Sequence, residues 1–331
     1  MSVDESILSF GPEKTLMGVL TRPVAETPQA QVGCLLLNVG VNPRSGPRRI
    51  NVKTARRLAQ GGVPSLRFDL SGLGDSPASA SGTNFRQQAL IDMRAALDEF
   101  QASTGVRQFV VFGICSGAAN GMMLTMDDPR VIGLLKLDGY IFLTKGVRLE
   151  RKLRRWLAFP TNPSIRRSFQ GWNDWMTWLR SPTDAAARRQ ALARLFGRAA
   201  PRTAEETGFV QMDFPDYDAA GFTADMQALV DRGVKLCLMY SATLNSFDHG
   251  HTMLKGLGKP AFLQHVRYEF LKDVDHTATT IAAQQRLLDR VCPWIEEVAQ
   301  GHRRREPSRP PALPEPVQSL GPSGIASRQA A

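Results

Sequence analysis

The chain has 331 residues, 43% of them hydrophobic, the composition of an ordinary globular protein with room for one large α/β domain carrying an insertion, or for two domains. Its net charge of +10 is uneven: between Arg148 and Arg202 thirteen basic residues stand against Glu150, Asp174 and Asp184, so the remainder is close to neutral. Cys34, Cys115, Cys237 and Cys292 lie far apart and lack the short Cys-x-x-Cys spacing of zinc or redox sites, so we expect no metal, no other cofactor and no disulfide.

The first six residues, Met1-Ser2-Val3-Asp4-Glu5-Ser6, are acidic and lack the positive-then-apolar order of a signal peptide. No run approaches the length needed to cross a bilayer, so the expected location is the cytoplasm, with no membrane insertion. Residues 5–22 carry apolar runs on either side of Gly11-Pro12-Glu13-Lys14 and predict a β-hairpin with that tetrapeptide as its turn. Residues 32–38 form a continuous apolar run, as in a strand covered on both faces. Residues 50–60 have helical spacing through Val52, Ala55 and Leu58, and Gly61-Gly62 ends them. A strand over 63–70 closes in a turn at Ser71-Gly72-Leu73-Gly74-Asp75-Ser76, and a helix follows over 85–103.

Next comes the apolar run Phe109-Val110-Val111-Phe112, then Gly113-Ile114-Cys115-Ser116-Gly117, then the small residues Ala118-Ala119-Asn120-Gly121 that can open a helix. This pattern predicts a nucleophile elbow, in which a strained strand-to-helix turn needs small residues two before and two after the nucleophile. Centred on Cys115, both flanks are glycine; centred on Ser116, they are Ile114 and Ala118, and a β-branched isoleucine fits the turn poorly. The register selects Cys115. A cysteine in an apolar run also serves as a small buried hydrophobe, so the distinction rests on what surrounds it.

A buried strand is predicted over 131–137, and up to this point strand and helix alternate as in a doubly wound, mainly parallel α/β sheet. The alternation then stops. Residues 147–222 are helical in character, basic, and hold Trp156, Trp172, Trp175 and Trp178; we read them as an inserted lid. The core resumes with strands over 234–240 and 265–270 and an amphipathic helix over 277–298. The expected domains are therefore 1–146 and 223–300 for the two parts of the core, 147–222 for the lid, and a disordered tail over 301–331, where Arg303-Arg304-Arg305 and the proline-rich residues after them cannot bury a core.

In the order of these parts the chain resembles the α/β-hydrolase superfamily over roughly residues 5–300. Asn38-Val39-Gly40 stands where that family has its oxyanion segment, residues 66–76 look like its strand-and-turn signature, and Asp275-His276-Thr277 looks like its terminal histidine. Residues 38–76 and 112–118 are similar to a bacterial subgroup of hydrolases with a Gly-x-Cys-Ser-Gly elbow, akin to those associated with exosortase and exopolysaccharide loci. Dienelactone hydrolases and polyhydroxyalkanoate synthases also carry cysteine at the elbow. The resemblance thus implies that a thiol nucleophile is compatible with catalysis in this fold.

The chemistry needs nucleophile, acid and histidine in that chain order. Cys115 is the expected nucleophile and His276 the base. For the acid, Leu244 occupies the usual register after the strand over 234–240; Asp248 lies a turn later and is slightly favoured, with Asp138 at the end of the preceding buried strand as the alternative. The oxyanion hole is expected from the backbone N–H of Ser116 and that of Gly40 or Val41. Arg44 and Arg48, in the loop beside it, are candidates to hold a phosphate or carboxylate on the substrate together with arginines of the lid. His249 and His251 have a His-x-His spacing, but no supporting carboxylate or cysteine pattern makes it a metal site.

These residues point to an acyl hydrolase, an esterase or thioesterase, acting on a small-molecule or carrier-bound acyl substrate of anionic character. An acyltransferase on the same site is an alternative, as is a catalytically silent binding protein on a hydrolase scaffold, which Leu244 favours. A nucleic-acid or membrane-surface binder working through the basic segment lacks any motif, and no nucleic-acid partner is expected.

Overall fold

The structure, a computed structural model, describes residues 3–24, 27, 29–147, 149, 218–244 and 248–303. Apolar runs at 32–37, 109–112, 131–137 and 235–240 lie side by side as the buried middle of one eight-stranded sheet. Its strands are β1 (Asp4–Phe10), β2 (Leu16–Arg22), β3 (Val32–Leu36), β4 (Ser65–Phe68), β5 (Gln108–Ile114), β6 (Val131–Leu137), β7 (Lys235–Ser241) and β8 (Val266–Leu271). They are ordered β1-β2-β4-β3-β5-β6-β7-β8. β1 pairs antiparallel with β2, and β2 with β4; every other neighbour is parallel.

The continuous apolar character of β3 follows from burial on both faces. Cys34 and Leu36 point into one cluster, beneath α1 (Ile50–Gln60) and α5 (Ile281–Arg303). Leu35 and Leu37 point into the other, beneath α2 (Phe85–Thr104), α3 (Ser116–Asp127) and α4 (Ala219–Asp231). Side chains of successive strand residues alternate between faces, so a strand sandwiched by helices is apolar throughout. The doubly wound, mainly parallel sheet read from the sequence is the fold observed.

The predicted hairpin is β1 and β2, joined at the short turn Pro12–Lys14. The predicted lid lies for its greater part outside the described residues, as do residues 304–331 of the predicted tail. At the lid's far end α4 begins at Ala219, and Phe222 on its first turn is buried among Tyr140, Phe142 and Phe262. The last helix starts later than its periodicity predicts, at Ile281 rather than 277. Its approach is occupied by a turn in which the Asp275 carboxylate accepts from the backbone N–H groups of Thr277 and Thr279, while Thr280 Oγ1 accepts from Ala283 N. A carboxylate that binds backbone N–H groups locally competes with the helix for them. The result is a hydrogen-bonded loop, carrying His276, after β8.

Candidate active site

β5 runs out at Ile114, and Cys115 takes φ 54° and ψ −114° before α3 begins at Ser116. A non-glycine residue with positive φ is strained and persists only where its surroundings enforce it. Here the enforcement is steric. A Cβ on Gly113 would collide with the Gly117 carbonyl, and one on Gly117 would lie 2.5 Å from the Asn38 carbonyl oxygen. Both glycines are therefore required by close backbone approach, at the two positions that the sequence register singled out. The turn is pinned further by Cys115 N, which donates to Leu137 O at 2.9 Å across to β6.

The four cysteines divide by environment. Burial pushes the thiols of Cys34 and Cys237 well up and that of Cys292 up to about 12, so these three are inert packing groups. Cys115 is exposed and its pKa is lowered, first by a hydrogen bond from His276, against the opposing effect of burial, with further help from the His276 charge and the Ser116 amide. Its position at the amino end of α3 acts in the same direction.

His276 hydrogen-bonds through Nδ1 to Asp138 Oδ2 at 2.7 Å, and its backbone N–H donates to Thr243 Oγ1 at 2.8 Å. Its pKa is raised to about 10, by the hydrogen bond to Asp138 first and then by that to Cys115. At neutral pH the imidazole is therefore protonated, and its charge favours the thiolate form of Cys115. Asp138 follows directly on β6, with φ 53°, an angle aspartate tolerates better than most residues. Its side chain is fully buried, and it accepts at 2.6 Å from both the backbone N–H and the hydroxyl of Ser241. Two donors besides the imidazole hold this carboxylate in its orientation.

Asp248, the acid favoured from the sequence, is not brought to His276. Its Oδ1 accepts from Thr252 N at 2.6 Å and from the Tyr268 hydroxyl at 3.3 Å, closing its own loop. The alternative, Asp138, is the carboxylate beside the histidine. The physical reason is sheet geometry: β6 and β7 are parallel neighbours, so the residue after β6 faces the last residue of β7, Ser241, and stands below the loop after β8.

On the other side of Cys115, Asn38 ends the β3 run and clamps the following loop, donating to Asn42 O at 3.0 Å and accepting from Leu70 N at 3.1 Å. Gly40, with φ 57°, donates its N–H to Ser116 Oγ at 2.7 Å. Val41 beside it is half exposed. Arg44 is paired with the buried carboxylate of Asp69 and, through Nη2 at 2.7 Å, with Asp75, so both ends of its guanidinium fork are engaged within the protein. Arg48 is exposed. His251 stacks edge-on against Tyr268, ring centroids 4.4 Å apart. Among the described residues no group of three or more His, Cys, Asp or Glu is placed to hold a metal ion, and none of the helices is long and apolar enough to cross a membrane.

Ser241 and Thr243 escaped the sequence reading. The available signal was a hydroxyl directly after the apolar run over 234–240, since a polar residue at the buried end of a strand needs a partner there.

The chain matches no family model and no curated protein. Among solved structures, proline iminopeptidase from Mycobacterium smegmatis superposes with a TM-score of 0.52 at 15% identity, covering 90% of this chain and 100% of that one. A protein of unknown function from Agrobacterium tumefaciens described as a putative α/β hydrolase gives 0.48 at 14% identity, over 90% and 97%. The thioesterase domain from the curacin biosynthetic pathway also gives 0.48 at 14% identity, over 87% and 99%. At these identities the likeness is one of fold alone.

Proposed function

We propose that this chain of α/β-hydrolase fold is an acyl hydrolase, an esterase or thioesterase, that works through an acyl-thioester on Cys115. The observation that carries the reading is the strained, exposed Cys115, whose pKa His276 lowers, together with the hydrogen bond from that imidazole to the buried Asp138.

The thiolate attacks the substrate carbonyl carbon, and the carbonyl π electrons move to oxygen. The Ser116 amide, at the amino end of α3, stabilises that negative charge. Collapse of the intermediate expels the leaving group, which takes the proton of the His276 imidazolium. Neutral His276 then removes a proton from water as the water attacks the thioester. The second intermediate releases the acid and restores thiolate and imidazolium. Asp138 holds the imidazole tautomer with Nδ1–H toward itself, leaving Nε2 toward the sulfur, and stabilises the charged ring.

Within this proposal residues 147–222 form the lid over the acyl group, and the basic character of that segment suits an anionic acyl substrate or carrier. Arg44 has a different part, as the partner of Asp69 and Asp75. Intact-mass spectrometry after exposure to activated acyl esters and thioesters tests the reading. A single adduct is expected on the native chain, absent in Cys115→Ala and slowed about 10²-fold or more in His276→Ala. No adduct from any donor on the folded native chain would favour a binding protein instead.

A further inference from the structure

Resting on the acyl-transfer reading, we infer that the Ser116 side-chain hydroxyl, and not the Gly40 N–H, is the oxyanion donor on the β3 side of this site, with Gly40 acting through it.

The Gly40 N–H has one hydrogen, and it is already given to Ser116 Oγ at 2.7 Å. Ser116 is buried, 4% exposed, so water does not compete readily for that bond. The hydroxyl oxygen has two lone pairs and one hydrogen. One lone pair receives Gly40, and the hydrogen has no acceptor among the described residues. A hydroxyl that accepts from an amide is polarised and becomes the stronger donor. It is carried by the residue next to the nucleophile, at the amino end of α3. The amide and hydroxyl of Ser116 therefore approach the reacting carbonyl from one residue, and the hydroxyl can donate without giving up the bond it accepts from Gly40.

Gly40 itself has φ 57°, and nothing lies within 4 Å of where its Cβ would be. The glycine is there for its backbone angle, which aims the N–H at Ser116. In the step concerned, the sulfur–carbon bond forms while the carbonyl π pair moves to oxygen, and the Ser116 O–H hydrogen-bonds that oxygen without transferring its proton. Serine directly after the nucleophile is thus a functional part of the Cys-Ser-Gly elbow.

The opposite role, a hydroxyl that plugs the hole and must leave before Gly40 can act, predicts an effect of opposite sign. The test compares two reactions of Cys115: acylation by p-nitrophenyl acetate, which passes through an oxyanion, and alkylation by iodoacetamide, which does not. The ratio of their rates is measured in the native chain, Ser116→Ala and Ser116→Thr. The ratio is expected to fall about 10²-fold in Ser116→Ala and to stay near the native value in Ser116→Thr, which retains the hydroxyl. Taking the ratio cancels any change in the amount of folded protein or in thiolate reactivity. A ratio in Ser116→Ala equal to or above the native one overturns the inference and leaves acyl transfer intact. Alkylation without any acylation of the native chain overturns the acyl-transfer reading, and this inference with it.

Discussion

Asp69 and Asp138 occupy equivalent places in the fold and have opposite consequences. Each stands one residue beyond a parallel strand, after β4 and β6 respectively, and each side chain is fully buried. Asp69 is answered by Arg44, whose guanidinium stays charged at all working pH, and by the backbone N–H groups of Arg44 at 2.5 Å and Asp75 at 3.1 Å. Its charge is spent on fixing the loop after β3 and the turn after β4. Asp138 is answered by Ser241, which carries no charge, and by His276, which does so only when protonated. Its charge is therefore passed on, through the imidazolium, to Cys115. A buried carboxylate becomes functional here because its cationic partner can give up a proton and has a second neighbour to give it to.

Exchanging the two carboxylates for amides tests the contrast most severely. Asp138→Asn is expected to lower acyl transfer by about 10²-fold or more, because the amide removes the charge that supports the imidazolium, and a stopped-flow acylation assay reads this. Asp69→Asn is expected to act on the fold instead. It leaves Arg44 without its buried partner, at a cost of about 3 kcal/mol in urea denaturation, while acylation per folded molecule changes by less than about threefold.

Ser241→Ala sharpens the comparison, since it keeps the carboxylate and removes one of its hydrogen bonds. A bond to a charged group is worth about 1.5 kcal/mol, so roughly a tenfold loss of acylation is expected, with the midpoint for thiolate formation moved up. The smallest effect belongs to the packing cysteines. Cys292→Ala is expected to cost about 1 kcal/mol of stability and to leave labelling of Cys115 unchanged by mass spectrometry.

The elbow was legible because its constraint is local. Five residues decide it, and the collisions at Gly113 and Gly117 are what the spacing encodes. The sheet was legible for a similar reason, since burial on both faces makes whole strands apolar. The carboxylate beside His276 was not. Asp248 and Asp138 both lie at plausible distances along the chain, and the choice depends on β6 and β7 being neighbours, which sets Ser241 against Asp138 across 103 positions. Arg44 illustrates the same limit: an arginine beside an oxyanion segment reads as an anion site until its carboxylate partners are seen 25 and 31 positions away. The contact between Gly40 and Ser116, 76 positions apart, has no local signature at all.

The most direct test of the account is the pH dependence of Cys115 alkylation by iodoacetamide in the native chain and in Asp138→Asn. Two effects of Asp138 oppose each other. Its own charge pushes the thiol up, but this is the smallest of the causes, whereas the His276 hydrogen bond that it supports is the largest and pulls the thiol down. In the native chain, reactivity should rise through a midpoint below the usual thiol value of about 8.5 as the thiolate forms, and acyl transfer should fall again as the imidazolium is lost near the His276 value of about 10. Asp138→Asn should move the alkylation midpoint up toward that of a free thiol. Coincident midpoints in the two proteins would contradict the account, because they would mean that the buried carboxylate does not reach the sulfur through His276.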